Sequence, residues 1–98
     1  MTSPNIGAYN QAATTVGTAP TLIAVVESDS DGVLVQNNGT AIVYLGGSNV
    51  AASGANLGFS LAANASVLVP STGGAANSLY AITSSSTAVV VVLFSSGA

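Results

Sequence analysis

Very few side chains in this sequence can carry chemistry. Of its 98 residues, three are acidic and none is Lys, Arg, His or Cys. The acids stand together in "ESDSDG", as Glu27, Asp29 and Asp31, just ahead of Gly32. That spacing imitates the opening of a calcium loop, with oxygen ligands at positions 1, 3 and 5 and glycine at 6. Such a loop also requires a bidentate glutamate at position 12, where this chain has Asn38. Its flanks should be helical, whereas "TLIAVV" and "VLVQN" read as strands. In an extended chain alternate residues share a face, so the three carboxylates would repel one another. The expectation is a solvent-exposed turn with Asp31-Gly32 as its sharp point and no bound ion. Weak calcium binding is the alternative.

The remaining routes to catalysis are short of partners. General acid–base work falls mainly to His, Asp, Glu, Lys, Tyr or Cys, which leaves the acids and Tyr9, Tyr44 and Tyr80. Serines are plentiful, but a serine nucleophile needs a positioned base, and no His or Lys exists to serve. Glycine-rich "LGGSNVAASG" lacks the lysine of a phosphate-binding loop. The chain is therefore expected not to be an enzyme, with no catalytic residue, no cofactor and no metal. Tyr9, Tyr44, Phe59, Tyr80 and Phe94 could form a platform for glycan or peptide; strand aromatics more often serve packing.

Charge excludes further classes. Nucleic-acid binding draws on cations that neutralise phosphates, and attraction to anionic lipid needs the same groups. No nucleic acid and no membrane are thus expected as partners. Without Cys there is no disulfide framework and no zinc site of the usual kind. The start, "MTSPNIGAYNQAATT", lacks the basic and apolar regions of a secretory signal. The longest apolar run, "AVVVVLF", is far short of the roughly 20 residues of a membrane-spanning helix. Synthesis in a cytoplasm, as a soluble protein, is the expectation.

The elements that must position these residues read as strands. Hydrophobic residues make up 49 % of the chain and charged ones 3 %, against a usual charged share of about 25 %. Good helix formers are scarce. Apolar stretches recur at even spacing between turn residues, which predicts an all-β fold. Strands are expected near 12–18, 21–27, 32–37, 41–46, 57–62, 65–70, 78–84 and 87–94. The architecture would be a compact antiparallel β-sandwich or jelly-roll-like barrel of about eight short strands. Residues 1–10 read as an irregular N-terminal arm and residues 11–98 as a single β domain.

Two stretches carry more specific expectations. In "VLVQNNGTAIVYL", Asn38-Gly39 between apolar runs predicts a two-residue type I′ hairpin. Asn37 would then pair with Thr40, Val35 with Ile42 and Val33 with Tyr44. Both faces of that hairpin are largely apolar, so its second face should be covered by other strands or another subunit. The four valines of "TAVVVVLF" likewise make both faces of the last strand apolar. As an exposed edge it would aggregate, so it should be central in its sheet or capped by a partner.

The strand pattern resembles a small β-domain of tailed-bacteriophage virion proteins. The carriers are Gly39, Tyr44, Leu45, Gly46 and Gly47 around "VYLGG", Phe59, Leu61 and Val67 in the next strand pair, and Leu79, Tyr80 and Ala81 in "LYA". The likeness spans about residues 32 to 94. It implies a capsid decoration (cement) protein, acting by protein–protein interaction as a structural component of the virion. Such a protein binds across subunit boundaries of the shell as a homo-oligomer, for example a trimer. Its partners would be the major capsid protein or other virion proteins. A tail, baseplate or fibre domain, or a glycan- or peptide-binding β module, is the alternative. Family members often carry an arginine in the final strand; here it reads "VVVVLF", which leaves a charge-mediated contact there without a carrier.

Overall fold

The computed structural model describes residues 9–26, 32–71 and 76–95. Its strands are β1 (Tyr9–Val16), β2 (Thr21–Val26), β3 (Val33–Asn37), β4 (Val43–Gly46), β5 (Phe59–Leu61), β6 (Ser66–Val69), β7 (Asn77–Thr83) and β8 (Ala88–Ser95). They form two antiparallel four-stranded sheets: sheet A in the order β1-β8-β3-β6 and sheet B in the order β2-β7-β4-β5. The fold is all-β, as expected.

The pairings nest. β1 lies on β8, β2 on β7, β3 on β6 and β4 on β5. The chain is therefore one long hairpin, rolled until β3 also meets β8 and β4 also meets β7. This is the connectivity of a jelly roll, in which two sheets sandwich one core. Every sequential connection between strands changes sheet except that from β4 to β5.

Alternation builds the core. β3 buries Val33, Val35 and Asn37 and exposes Leu34 and Gln36. Val16, Val33, Val35, Val43, Val90 and Val92 are each at most 2 % exposed and line the space between the sheets. A core so rich in valine suits strands, where the branched side chain packs well on the pleat. Val35 sits between Val67 and Val92 across the sheet, so Val35→Ala opens a void that neither neighbour is long enough to fill. Chemical denaturation should show a loss of about 2 kcal/mol.

Two expectations about strands need correction. The first is the hairpin at Asn38-Gly39. β3 and β4 lie in different sheets, and both edges of β3 are already taken, by β6 and β8. Asn37 therefore does not pair with Thr40, nor Val35 with Ile42, nor Val33 with Tyr44. Residues 38–42 form a crossover. Gly39 is needed there for closeness, since a Cβ would lie 2.7 Å from the Cβ of Ala88. Its φ is not positive, so no type I′ turn forms.

The second correction is the start of β1. It begins at Tyr9, inside the stretch read as an irregular arm; residues 1–8 lie outside the described residues. "YNQAATTV" has little strand character of its own. It is fixed by eight consecutive pairs with β8, from Tyr9–Ser95 to Val16–Ala88. The last strand is central in its sheet, as its run of valines predicts, with β1 on one side and β3 on the other.

Candidate functional site

Directly opposed residues in an antiparallel pair share a face, so the register defines what each sheet presents outward. On sheet A one outward row runs Leu68, Leu34, Leu93, Gln11 across β6, β3, β8 and β1. The next runs Ser66, Gln36, Val91, Ala13, and beyond it Val89 stands beside Thr15. Leu68 is 59 % exposed, Leu34 and Leu93 40 % each, and Val89 38 %. Strands lie about 4.8 Å apart, so the three leucines form one continuous apolar ridge. No charged residue stands in any of these rows. Among the described residues no segment packs over the ridge.

Sheet B is treated differently. The loop from Gly47 to Gly58 folds back on itself through backbone bonds from Val50 N to Gly47 O, Ala51 N to Asn56 O and Gly58 N to Ala51 O. Val50, from the middle of that loop, is only 4 % exposed. It seats against glycine: a Cβ at Gly46 would lie 2.9 Å from Val50 Cγ2 and one at Gly58 2.5 Å. Ile82, which the register turns outward, is 7 % exposed, yet neither it nor Val50 belongs to the cluster between the sheets. The outer face of sheet B therefore has a lid made from the chain itself over β4 and β5, while Leu22 and Val25 on β2 stay 47 % and 45 % exposed.

The five aromatics do not converge. Tyr9 stands 79 % exposed at the start of β1, and Phe94 packs against the core of the sandwich. Phe59 opposes Leu45 on the inward side of edge strand β5, where it is 61 % exposed. Only Tyr44 and Tyr80 share a face. They are diagonal neighbours across β4 and β7 on the outside of sheet B, half-buried, with Tyr80 opposite Gly46 and Leu22. A platform of five is not formed; a pair of tyrosines is.

No family model, curated protein or solved structure matches the chain. The site is accordingly read from geometry. Glu27, Asp29 and Asp31 lie outside the described residues. What the described residues present is one sheet capped by its own loop over β4 and β5 and one without such a cap. Sequence reasoning found that both faces of the β3 and β8 segments are apolar and expected the second face to be covered. It missed that the cover is selective. The signal was a lone valine in a glycine-, serine- and asparagine-rich stretch, "GGSNVAASGANLG".

Proposed function

We propose that the protein is a non-enzymatic structural subunit of a bacteriophage virion, a capsid decoration protein that binds across subunit boundaries of the shell. The observation that carries this reading is the bare leucine ridge on sheet A, three leucines side by side across β6, β3 and β8. An uncharged apolar face on an otherwise sparsely charged chain is suited to burial against a partner. Two further points support it. The strand motifs resemble those of virion β-domains, and the jelly roll recurs in viral capsid proteins. The second point is an analogy of fold. Stabilisation of the shell would follow from mass action, because a ligand that prefers the assembled lattice shifts the equilibrium towards it.

The test is to separate heads and tails of particles that carry the protein and count copies by mass spectrometry. A protease other than trypsin is required, since the chain has no Lys or Arg. A copy number comparable to that of the shell protein in heads is expected. Recovery in tails alone, at a few copies per particle, would replace the decoration reading with that of a tail or fibre domain. Leu34→Glu and Leu93→Glu should each lower head occupancy about tenfold, because each leaves a charge in a buried apolar contact. Both side chains already face solvent, so the circular dichroism of the free protein should not change.

The glycan-binding alternative retains one support, the Tyr44–Tyr80 pair. It requires chemical-shift changes at these tyrosines on glycan addition, without any from residues of the leucine ridge.

A further inference from the structure

Among the described residues the four edge strands are not alike. β6 is four residues long and is followed at once by Pro70. β5 is three residues long. β2 has six residues but carries a bulge at Ile23, between Leu22 and Ala24, and is preceded by Pro20. Shortness, bulges and proline are the devices that keep sheet edges from pairing with other chains. β1 has none of them. It is eight residues long, pairs with β8 without a single register shift, and is terminal in sheet A. It also carries no charge and no proline.

We infer that the free edge of β1 is an assembly site, and that its occupant is β1 of a second copy, joined antiparallel about a two-fold axis to make one continuous eight-stranded sheet. Several observations select this occupant. Of the edges the described residues offer, only another β1 presents a regular run of the same length. A two-fold through Ala13 brings Ala13 opposite itself and Ala12 opposite Thr14, where small side chains meet without a clash. Further out, uncharged Gln11 comes opposite Thr15, a pair that can share hydrogen bonds and does not repel. A two-fold axis normal to the sheet also preserves its faces. The leucine ridges of both copies would then lie on the same side of the joined sheet, linked through Gln11, Ala13 and Thr15. The edge is about 27 Å long at 3.4 Å per residue, which places the contact at the small end of stable interfaces and makes the dimer concentration-dependent. The inference rests on the edge and not on the virion reading. The two fail separately, since self-association is measured without any other protein.

The experiment is sedimentation equilibrium of the full chain from about 1 µM to about 1 mM, together with amide hydrogen exchange at both ends of that range. The expected result is a monomer–dimer equilibrium in which alternate amides of residues 9–16 gain protection as the concentration rises. Ala13→Lys puts like charges opposite each other at the two-fold and should raise the dissociation constant at least about tenfold. Leu34→Glu should leave the dimer unchanged. A chain that stays monomeric throughout overturns the proposal. So does a trimer, a dimer abolished by Leu34→Glu but not by Ala13→Lys, or protection of residues 9–16 that does not depend on concentration. Should Ala13→Lys fail to fold, the exchange pattern of the unaltered chain decides alone.

Discussion

An Asn37→Asp variant is expected to lose about 3–4 kcal/mol of folding stability at pH 7 and to regain part of it in acid. Asn37 is completely buried at the end of β3. Its Nδ2 donates to the carbonyl of Ala41 at 2.7 Å and to that of Leu61 at 2.9 Å, while its Oδ1 accepts the Gly39 N–H at 3.0 Å. One carboxamide thus ties the end of a sheet A strand to the crossover and to β5 of sheet B. The backbone of the same residue binds Ala65 O and Asn64 N. The aspartate substitution preserves shape and removes the two donors, leaving carboxylate oxygen facing two carbonyl oxygens.

The sign of the pH dependence follows. The ionised form is disfavoured in the folded chain, so the new carboxyl titrates above its unfolded value of about 3.9. The folded state then keeps a proton that the unfolded state releases. Stability relative to the unaltered protein is greatest below pH ~4 and falls as pH rises, until the folded group has also ionised. Denaturation midpoints at several pH values check this. Asn37→Ala should lose a similar amount with no such dependence. A pH-independent loss in Asn37→Asp would show that the new carboxylate is not penalised by the carbonyl oxygens of Ala41 and Leu61.

Gly32→Ala is expected to cost about 3 kcal/mol, lowering the thermal midpoint by roughly 15 °C. Gly32 has φ +119°, a conformation that a residue with a Cβ adopts only under strain. Space is closed as well. A Cβ would overlap the carbonyl oxygen of Val69 and lie 2.9 Å from Pro70 Cα, both at the end of β6. Backbone, not a flexible side chain, stands in the way. The contrasting control is Gly54→Ala. Gly54 also has positive φ, +84°, but nothing lies within 4 Å of a Cβ there. It should cost only the conformational part, about 1 kcal/mol. Differential scanning calorimetry of the pair separates strain from collision.

Which stretches would be strands was legible, because β-branched runs between turn residues mark pleated chain whatever its partner. β8 shows it best: four valines in a row state that both faces are apolar, and a central place in a sheet follows. Partners were much less legible. Period-two alternation tells which residues share a face, not which strand lies alongside. Asn38-Gly39 has the local features of a hairpin turn, and the contacts that override them come from far along the chain, at Leu61, Ala65 and Ala88. β1 starts three residues before the expected 12–18 because Asn10 and Gln11 hardly prefer a strand and β8 imposes the register. The bare face of sheet A was half legible. Both faces of the β3 and β8 segments could be seen to be apolar, but which residues turn outward depends on the register, and Val50 as a plug for part of the opposite sheet depends on the close approach of Gly46 and Gly58.

The hydrogen bond from Gly39 N–H to Asn37 Oδ1 also bears on chemical ageing. Asparagine followed by glycine deamidates when the glycine nitrogen attacks the preceding side-chain carbonyl, one reason asparagine counts as thermolabile. In the folded chain that nitrogen is engaged, and Asn38's own N–H is held by Val89 O at 2.8 Å. The turn is thereby kept from the cyclic geometry the reaction needs. Unfolding releases it. Each deamidation at Asn38 adds a negative charge to a chain whose only other acidic side chains are Glu27, Asp29 and Asp31. An ion-exchange profile of an old sample thus records how long its molecules have spent unfolded.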